Sequence, residues 1–272
     1  MSTTIGKTIG TTIGKTASQD GTGIAFEQTG QGPPVVLVMG AFNDRRTGAP
    51  LAAVLAPRFT VFSYDRRGRG DSEDAAAYAV EREIEDLAAM IGVAGGSAAV
   101  FGYSSGAVLA LRAAAQRVAM TKLALYDAPP AQSPEHPARL ASLIAAGRRG
   151  EAVEYFQQNL VGIPAEVVAQ LRHAPFRPAL EAMAHTLVYE AEIMAYDHVL
   201  GVSAGRLASA SQPTLVIAGG AGAPIMREVA EALARALPQG RAVTLAGATH
   251  DLDPARLGPV LERFLVDASA TG

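Results

Sequence analysis

The chain has no cysteine among its 272 residues. Disulfides, thiolate metal sites and a cysteine nucleophile are therefore excluded. No stretch approaches the roughly 18 consecutive apolar residues that a membrane-crossing helix needs. The N-terminus lacks an apolar signal core and a cleavage site, which together with the missing disulfides fits a cytoplasmic protein. A basic surplus is also absent. The formal net charge is -3, so neither nucleic acid nor an anionic membrane is expected as a partner. The histidines number five and form no metal-binding spacing with a carboxylate, so no metal is expected, and no organic cofactor is implied. What remains is ordinary: 49% apolar and 18% charged residues, enough for a sizeable core in one α/β domain with an insertion.

Residues 1–20 differ from the rest, because the hexamer TTIGKT occurs at Thr3–Thr8 and again at Thr11–Thr16. They read as a low-complexity tail, with a short strand as the competing reading. Beyond them, strand-like runs appear at Gly23–Gln28, Val35–Val38, Phe59–Tyr64, Ala98–Tyr103, Lys122–Tyr126, Thr214–Ala218 and Ala242–Leu245. Several are continuously apolar, as strands covered on both faces are. Helical patterns at Tyr78–Ile91, Ser105–Arg117, Pro224–Leu237 and Pro254–Val266 alternate with them, which predicts a mostly parallel sheet flanked by helices. Between Pro129 and Pro213 only helical patterns occur: Pro137–Ala146, Gly150–Leu160, Pro164–Arg172 and Pro178–Met194. The expected organisation is a core over 21–130 and 213–272 with a helical cap over 131–212. Such a cap would sit where parallel sheets bind ligands.

The sharpest local signal is Gly102-Tyr103-Ser104-Ser105-Gly106. A strand-like run leads in and a helix former run leads out, the context in which a strained turn lifts a serine hydroxyl clear of the backbone. A Gly-rich turn with a capping serine is the bland alternative. His250 follows the last strand-like run and is the only histidine after the insertion. A serine nucleophile needs a base within hydrogen-bond reach, and His250 is that candidate. His136, His173, His185 and His198 all lie in the insertion. His185 is a candidate to face the pocket, with a helix-surface or core position as the competing reading.

Four stretches together resemble the α/β-hydrolase superfamily, and most closely its capped esterase- and lactonase-like members of actinobacterial type. They are Tyr64–Ser72, the Ser104 turn, Pro213–Gly220 and Gly247–Asp251. The resemblance implies the α/β-hydrolase fold, a small-molecule substrate, Ser104 as nucleophile and His250 as base. There are two departures. The superfamily's acid usually follows the strand matching Thr214–Ala218, but that loop reads Gly219–Pro224 with no carboxylate. Its usual His-Gly after the strand matching Val35–Val38 is here Met39-Gly40. Some members place the acid one strand after the nucleophile, which points to Asp127; a turn aspartate ahead of Pro129-Pro130 is the alternative. Asp251 and Asp253 read as helix caps.

The oxyanion hole implied by the resemblance uses the N–H of Ser105 and a donor near Ala41 or Phe42. Met39, Tyr103, Phe156, Phe176, Met183, His185 and Leu187 are candidate pocket walls, each with core or cap packing as the competing reading. Asp65–Ser72 lacks the Lys-Ser/Thr end of a phosphate loop and reads as a structural turn. Arg66, Arg67 and Arg69 read as a solvated loop, and Glu83 and Glu85 as the exposed face of a helix. The function expected is serine-dependent hydrolysis of an ester or lactone of a small to medium apolar molecule. A lyase, cyclase or cofactor-free peroxidase-like enzyme on the same fold, and a non-catalytic binding protein, are the rivals. The oligomeric state is not legible.

Overall fold

The computed structural model describes residues 10–75, 77–195 and 207–267. Eight strands form one sheet: β1 Thr11–Ala17, β2 Gly23–Gly30, β3 Pro34–Val38, β4 Thr60–Tyr64, β5 Ala98–Tyr103, β6 Met120–Tyr126, β7 Thr214–Gly219 and β8 Gly240–Leu245. Their order is β1-β2-β4-β3-β5-β6-β7-β8. The β1–β2 and β2–β4 pairs are antiparallel and every other pair is parallel.

Part of the expected tail is thus strand. Thr11–Ala17 pairs along its length with Gly23–Thr29, while residues 1–9 lie outside the described residues. The Thr and Ile content that marked the competing reading prevails here. Gly14 lets the Phe26 ring cross the hairpin, since a Cβ there would lie 2.6 Å from that ring.

The apolar runs of β3, β5 and β7 are buried because helices cover both faces. Helices α2 Val80–Val93, α3 Ser105–Ala115 and α9 Pro224–Ala236 pack on one face, against Val36, Val100 and Val216. Helices α1 Ala49–Leu55 and α10 Pro254–Val266 pack on the other, against Val35, Leu37 and Phe101. At seven residues, α1 is too short to show periodicity in the sequence.

The region between β6 and β7 carries α4 His136–Ala145, α5 Arg149–Phe156, α6 Ala165–Leu171, α7 Arg177–Ala182 and α8 Leu187–Met194. They enclose their own apolar cluster, including Leu140, Leu143, Val153, Phe156 and Leu187. The helix expected over Pro178–Met194 is broken near Thr186, whose hydroxyl donates to the Met183 carbonyl at 2.9 Å and competes with the helical ladder. The α5 pattern continues as a π-helical turn over Gln157–Val161, ended by Gly162 at φ 82°.

The arginine cluster is not solvated. Arg66, Arg67 and Arg69 are all at most 2% exposed. Arg66 forks onto Glu83 at 2.6 and 2.7 Å, and Arg67 onto Asp86 at 2.8 and 2.7 Å. Glu83 is consequently buried rather than exposed, because α2 turns it and Asp86 inward beside Ile84 and Leu87. Arg66 and Arg69 share Glu190 of α8. Arg66 also donates to the Met39 carbonyl at 3.2 Å, and Arg69 to those of Gly40 at 2.7 Å and Asn43 at 3.2 Å. The Asp65–Ser72 segment is a structural turn, with Ser72 Oγ donating to the Asp65 carbonyl at 2.6 Å.

Burial pushes the Glu83 carboxyl up, but the Arg66 charge and bonds, aided by Arg69 and Tyr78, leave it below the ordinary range. A depressed folded value means stability that is present above the unfolded pKa, about 4.3, and is lost as pH falls through the folded one. Glu83→Gln is expected to cost about 3 kcal/mol in urea unfolding at pH 7, the scale for breaking a buried ion pair. The gap to wild type should shrink as the pH is lowered below about 4. A gap constant from pH 7 to pH 3 would remove the ionised Glu83 from the account.

Candidate active site

Strand β5 ends at Tyr103 and α3 begins at Ser105, so Ser104 alone makes the turn. Its φ of 56° and ψ of -128° are strained for a residue with a side chain. The flanking glycines make that turn possible. A Cβ on Gly102 would lie 2.6 Å from Ala107 Cα, and one on Gly106 would lie 2.4 Å from the Val38 carbonyl oxygen.

His250 sits between β8 and α10, half-buried. Its Nε2 lies 3.2 Å from Ser104 Oγ and its Nδ1 lies 3.1 Å from Asp127 Oδ2. Asp127, directly after β6, is 1% exposed, and its Oδ1 accepts the Gly219 N–H at 2.8 Å. The end of β7 has no room for an acid at Gly219, where a Cβ would meet the Thr249 carbonyl oxygen at 2.6 Å. That strand end instead gives Asp127 a backbone donor. Ser104, His250 and Asp127 therefore come together from three separate loops.

Two tyrosines hold the histidine loop. Tyr103 donates to the His250 carbonyl at 2.8 Å, and Tyr126 donates to that of Thr249. Burial pushes both hydroxyls well above the ordinary tyrosine range, with the Asp251 and Asp127 charges acting the same way. Both stay protonated donors throughout any practical assay range. Nothing in the sequence marked them as supports. Asp253 caps α10 by accepting from Ala255 N at 3.0 Å, as expected, whereas the Asp251 carboxylate accepts the Thr249 hydroxyl and caps nothing.

The Ser105 N–H opens α3, as the oxyanion reading requires. The Ala41 N–H is already engaged, donating to Ser105 Oγ at 3.0 Å. Phe42 follows at φ 61°, a sharp bend for an aromatic residue.

These groups form the floor of a cavity of about 400 Å³. Phe42 and Tyr103 wall it from the core, Phe156, Leu160 and Met194 from the cap helices, and Ile225 from the start of α9. Asn43, Gln132 and Gln157 add side-chain amides to it, and no lysine or arginine lines it among the described residues. Sequence reasoning missed these three, since a lone amide in a loop or cap helix carries no pattern.

Five expected wall residues are elsewhere. Met39 directly follows β3, packs in the apolar cluster on the face covered by α1 and is 1% exposed. Phe176 is 50% exposed at the start of α7, and Leu187 is spent on the cap's own cluster. Met183 closes α7 and does not line the cavity. His185 also lies away from it, with Nε2 3.5 Å from Asp74 and Nδ1 3.1 Å from Arg149. His136 bonds the Tyr155 hydroxyl at 2.8 Å, and His198 lies outside the described residues. No helix among the described residues is long and apolar enough to cross a membrane.

An eight-stranded, mostly parallel sheet with a serine on a strained strand-to-helix turn is the arrangement of the α/β-hydrolase fold. The chain belongs to the alpha/beta hydrolase family, whose family model matches residues 35–258. It is 50% identical to an alpha/beta hydrolase from Sphaerobacter thermophilus DSM 20745, over 93% of this chain and 100% of that one, with a TM-score of 0.86. A thermophilic esterase from Thermogutta terrifontis is 27% identical over 93% of this chain and 98% of its own, with a TM-score of 0.73. Among curated proteins, an uncharacterized hydrolase, YraK, from Bacillus subtilis (strain 168) is 36% identical over 100 residues. That match spans 35% of this chain and 37% of the relative.

Proposed function

We propose that the protein is a serine hydrolase that cleaves neutral esters or lactones of small to medium apolar molecules through an acyl-enzyme. The observation that carries this reading is the Ser104–His250–Asp127 chain of hydrogen bonds at the floor of an apolar cavity. Ser104 Oγ attacks the carbonyl carbon as His250 Nε2 takes its proton. Asp127 fixes the tautomer with the proton on Nδ1 and stabilises the imidazolium as it forms. The oxygen of the tetrahedral intermediate is met by N–H groups fixed before it becomes charged, the Ser105 N–H among them. His250 returns the proton to the leaving alkoxide. Water, activated by the same imidazole, then releases the acid. In a lactone the leaving group stays attached, and the product is a hydroxy acid.

The walls favour an uncharged acyl group. Burying a carboxylate there without a cation would carry a desolvation cost with no partner to offset it. The volume of about 400 Å³ falls at the small end of ligand cavities, which suits a short or branched chain.

The test is a fluorophosphonate probe followed by peptide mapping, with p-nitrophenyl esters from acetyl to octanoyl and a mono-anionic succinyl ester as substrates. Label on Ser104, best turnover at intermediate chain length, and kcat/KM at least about tenfold lower for the anionic ester are expected. Well-folded protein that takes no probe and turns over no ester would end the reading.

A further inference from the structure

We infer that the Ser105 hydroxyl is itself an oxyanion donor, standing in for the N–H of Ala41; this rests on the serine-hydrolase reading above. In the expected arrangement the loop after β3 offers a backbone N–H directly to the developing oxyanion. Here that N–H is taken, because Ala41 N donates to Ser105 Oγ at 3.0 Å. A hydroxyl that accepts one hydrogen bond still has its own proton to donate. Among the described residues, Ser105 Oγ donates to no other group, and Ser105 is only 1% exposed while forming part of the cavity floor. That proton is therefore available to charge developing on the substrate's carbonyl oxygen.

The surrounding contacts leave this hydroxyl little freedom. A Cβ on Gly40 would lie 3.2 Å from Ser105 Oγ and 2.9 Å from Ser104 Cβ, so loop, nucleophile and second hydroxyl are in close packing. The loop's carbonyls are held from outside. Arg69 binds that of Gly40 at 2.7 Å, and Asn43 Nδ2 binds that of Ala41 at 2.6 Å. With those carbonyls fixed, the Ala41 N–H stays aimed at Ser105. The resulting chain runs from the Ala41 N–H to Ser105 Oγ–H to the oxyanion. Each donor polarises the next, which strengthens the last bond as the charge grows. Nothing covalent passes through Ser105, and its proton stays on its oxygen throughout.

The experiment compares wild type, Ser105→Ala and Ser105→Thr on p-nitrophenyl butyrate, with rates normalised by titrating active sites with a phosphonate. Ser105→Ala should lower kcat by about 10- to 100-fold with KM within about twofold. That is less than the full loss of a donor, because the freed Ala41 N–H takes over in part. Ser105→Thr keeps the hydroxyl and should stay within about threefold of wild type. Ser105→Ala with kcat equal to or above wild type would overturn the inference, showing that the hydroxyl only blocks Ala41. A rise in KM at unchanged kcat would overturn it too, by assigning Ser105 to ground-state binding. Wild type that resists the phosphonate would instead bring down the hydrolase reading beneath it.

Discussion

Ser104→Ala should reduce kcat on an activated ester by about 10⁶-fold while KM changes little. On the proposed mechanism the first step is attack by Ser104 Oγ, and the variant lacks the hydroxyl that His250 Nε2 holds. His250→Ala should fall almost as far, and the double variant no further, because nucleophile and base act as one unit. Non-additivity is the more telling result. Two unconnected residues would multiply their losses, whereas a pair joined at 3.2 Å shares one loss. The fold should tolerate the change. Ser104 Oγ bonds no main-chain group among the described residues, and relief of a positive φ is not at stake in a serine-to-alanine exchange. Turnover within about tenfold of wild type in Ser104→Ala would send the chemistry elsewhere on this fold.

Asp127→Asn should lower kcat by about 10⁴-fold without unfolding the protein. An amide keeps the shape and can still accept the Gly219 N–H, so the packing at the end of β6 is preserved. It loses the negative charge opposite the imidazolium, and its NH₂ would hold His250 in the tautomer whose Nε2 cannot accept the Ser104 proton. Asp251→Asn serves as the control, since the Asp251 carboxylate touches only the Thr249 side chain within the described residues. Steady-state kinetics on the two variants separates the assignments. A small effect at Asp127 with a large one at Asp251 would transfer the acid role to the neighbour of His250.

The sheet was legible because buried parallel strands leave continuous apolar runs and the glycine pair around Ser104 marks a turn that few sequences need. Asp127 was legible only through the resemblance. The sequence shows an empty loop after β7, but not that Gly219 is bare so that its N–H can reach across to Asp127. The cap was legible as helix and not as wall. Phe176 and Phe156 look alike in a string of letters, and only packing decides that one faces solvent and the other the cavity. The charged residues misled most. Arg66, Arg69 and Glu83 read as surface because isolated charges almost never bury; Glu83 is paired by Arg66, and the carboxylate that the two arginines share, Glu190, stands more than a hundred positions from them.

That same Glu190 governs how molecules enter and leave. It ties α8 to two guanidiniums that also hold the carbonyls beside the cavity floor. Swinging the helical region away like a door would strand Arg69 and Glu190, two buried charges, at several kcal/mol each, and leave Arg66 with Glu83 alone. Opening on that side is thereby latched shut. A route past the wall residues of α9 and the π-helical turn, Ile225 and Leu160 among them, would leave those ion pairs intact. Side-chain rotation is far faster than domain motion, so product leaving by that route should set no ceiling on turnover.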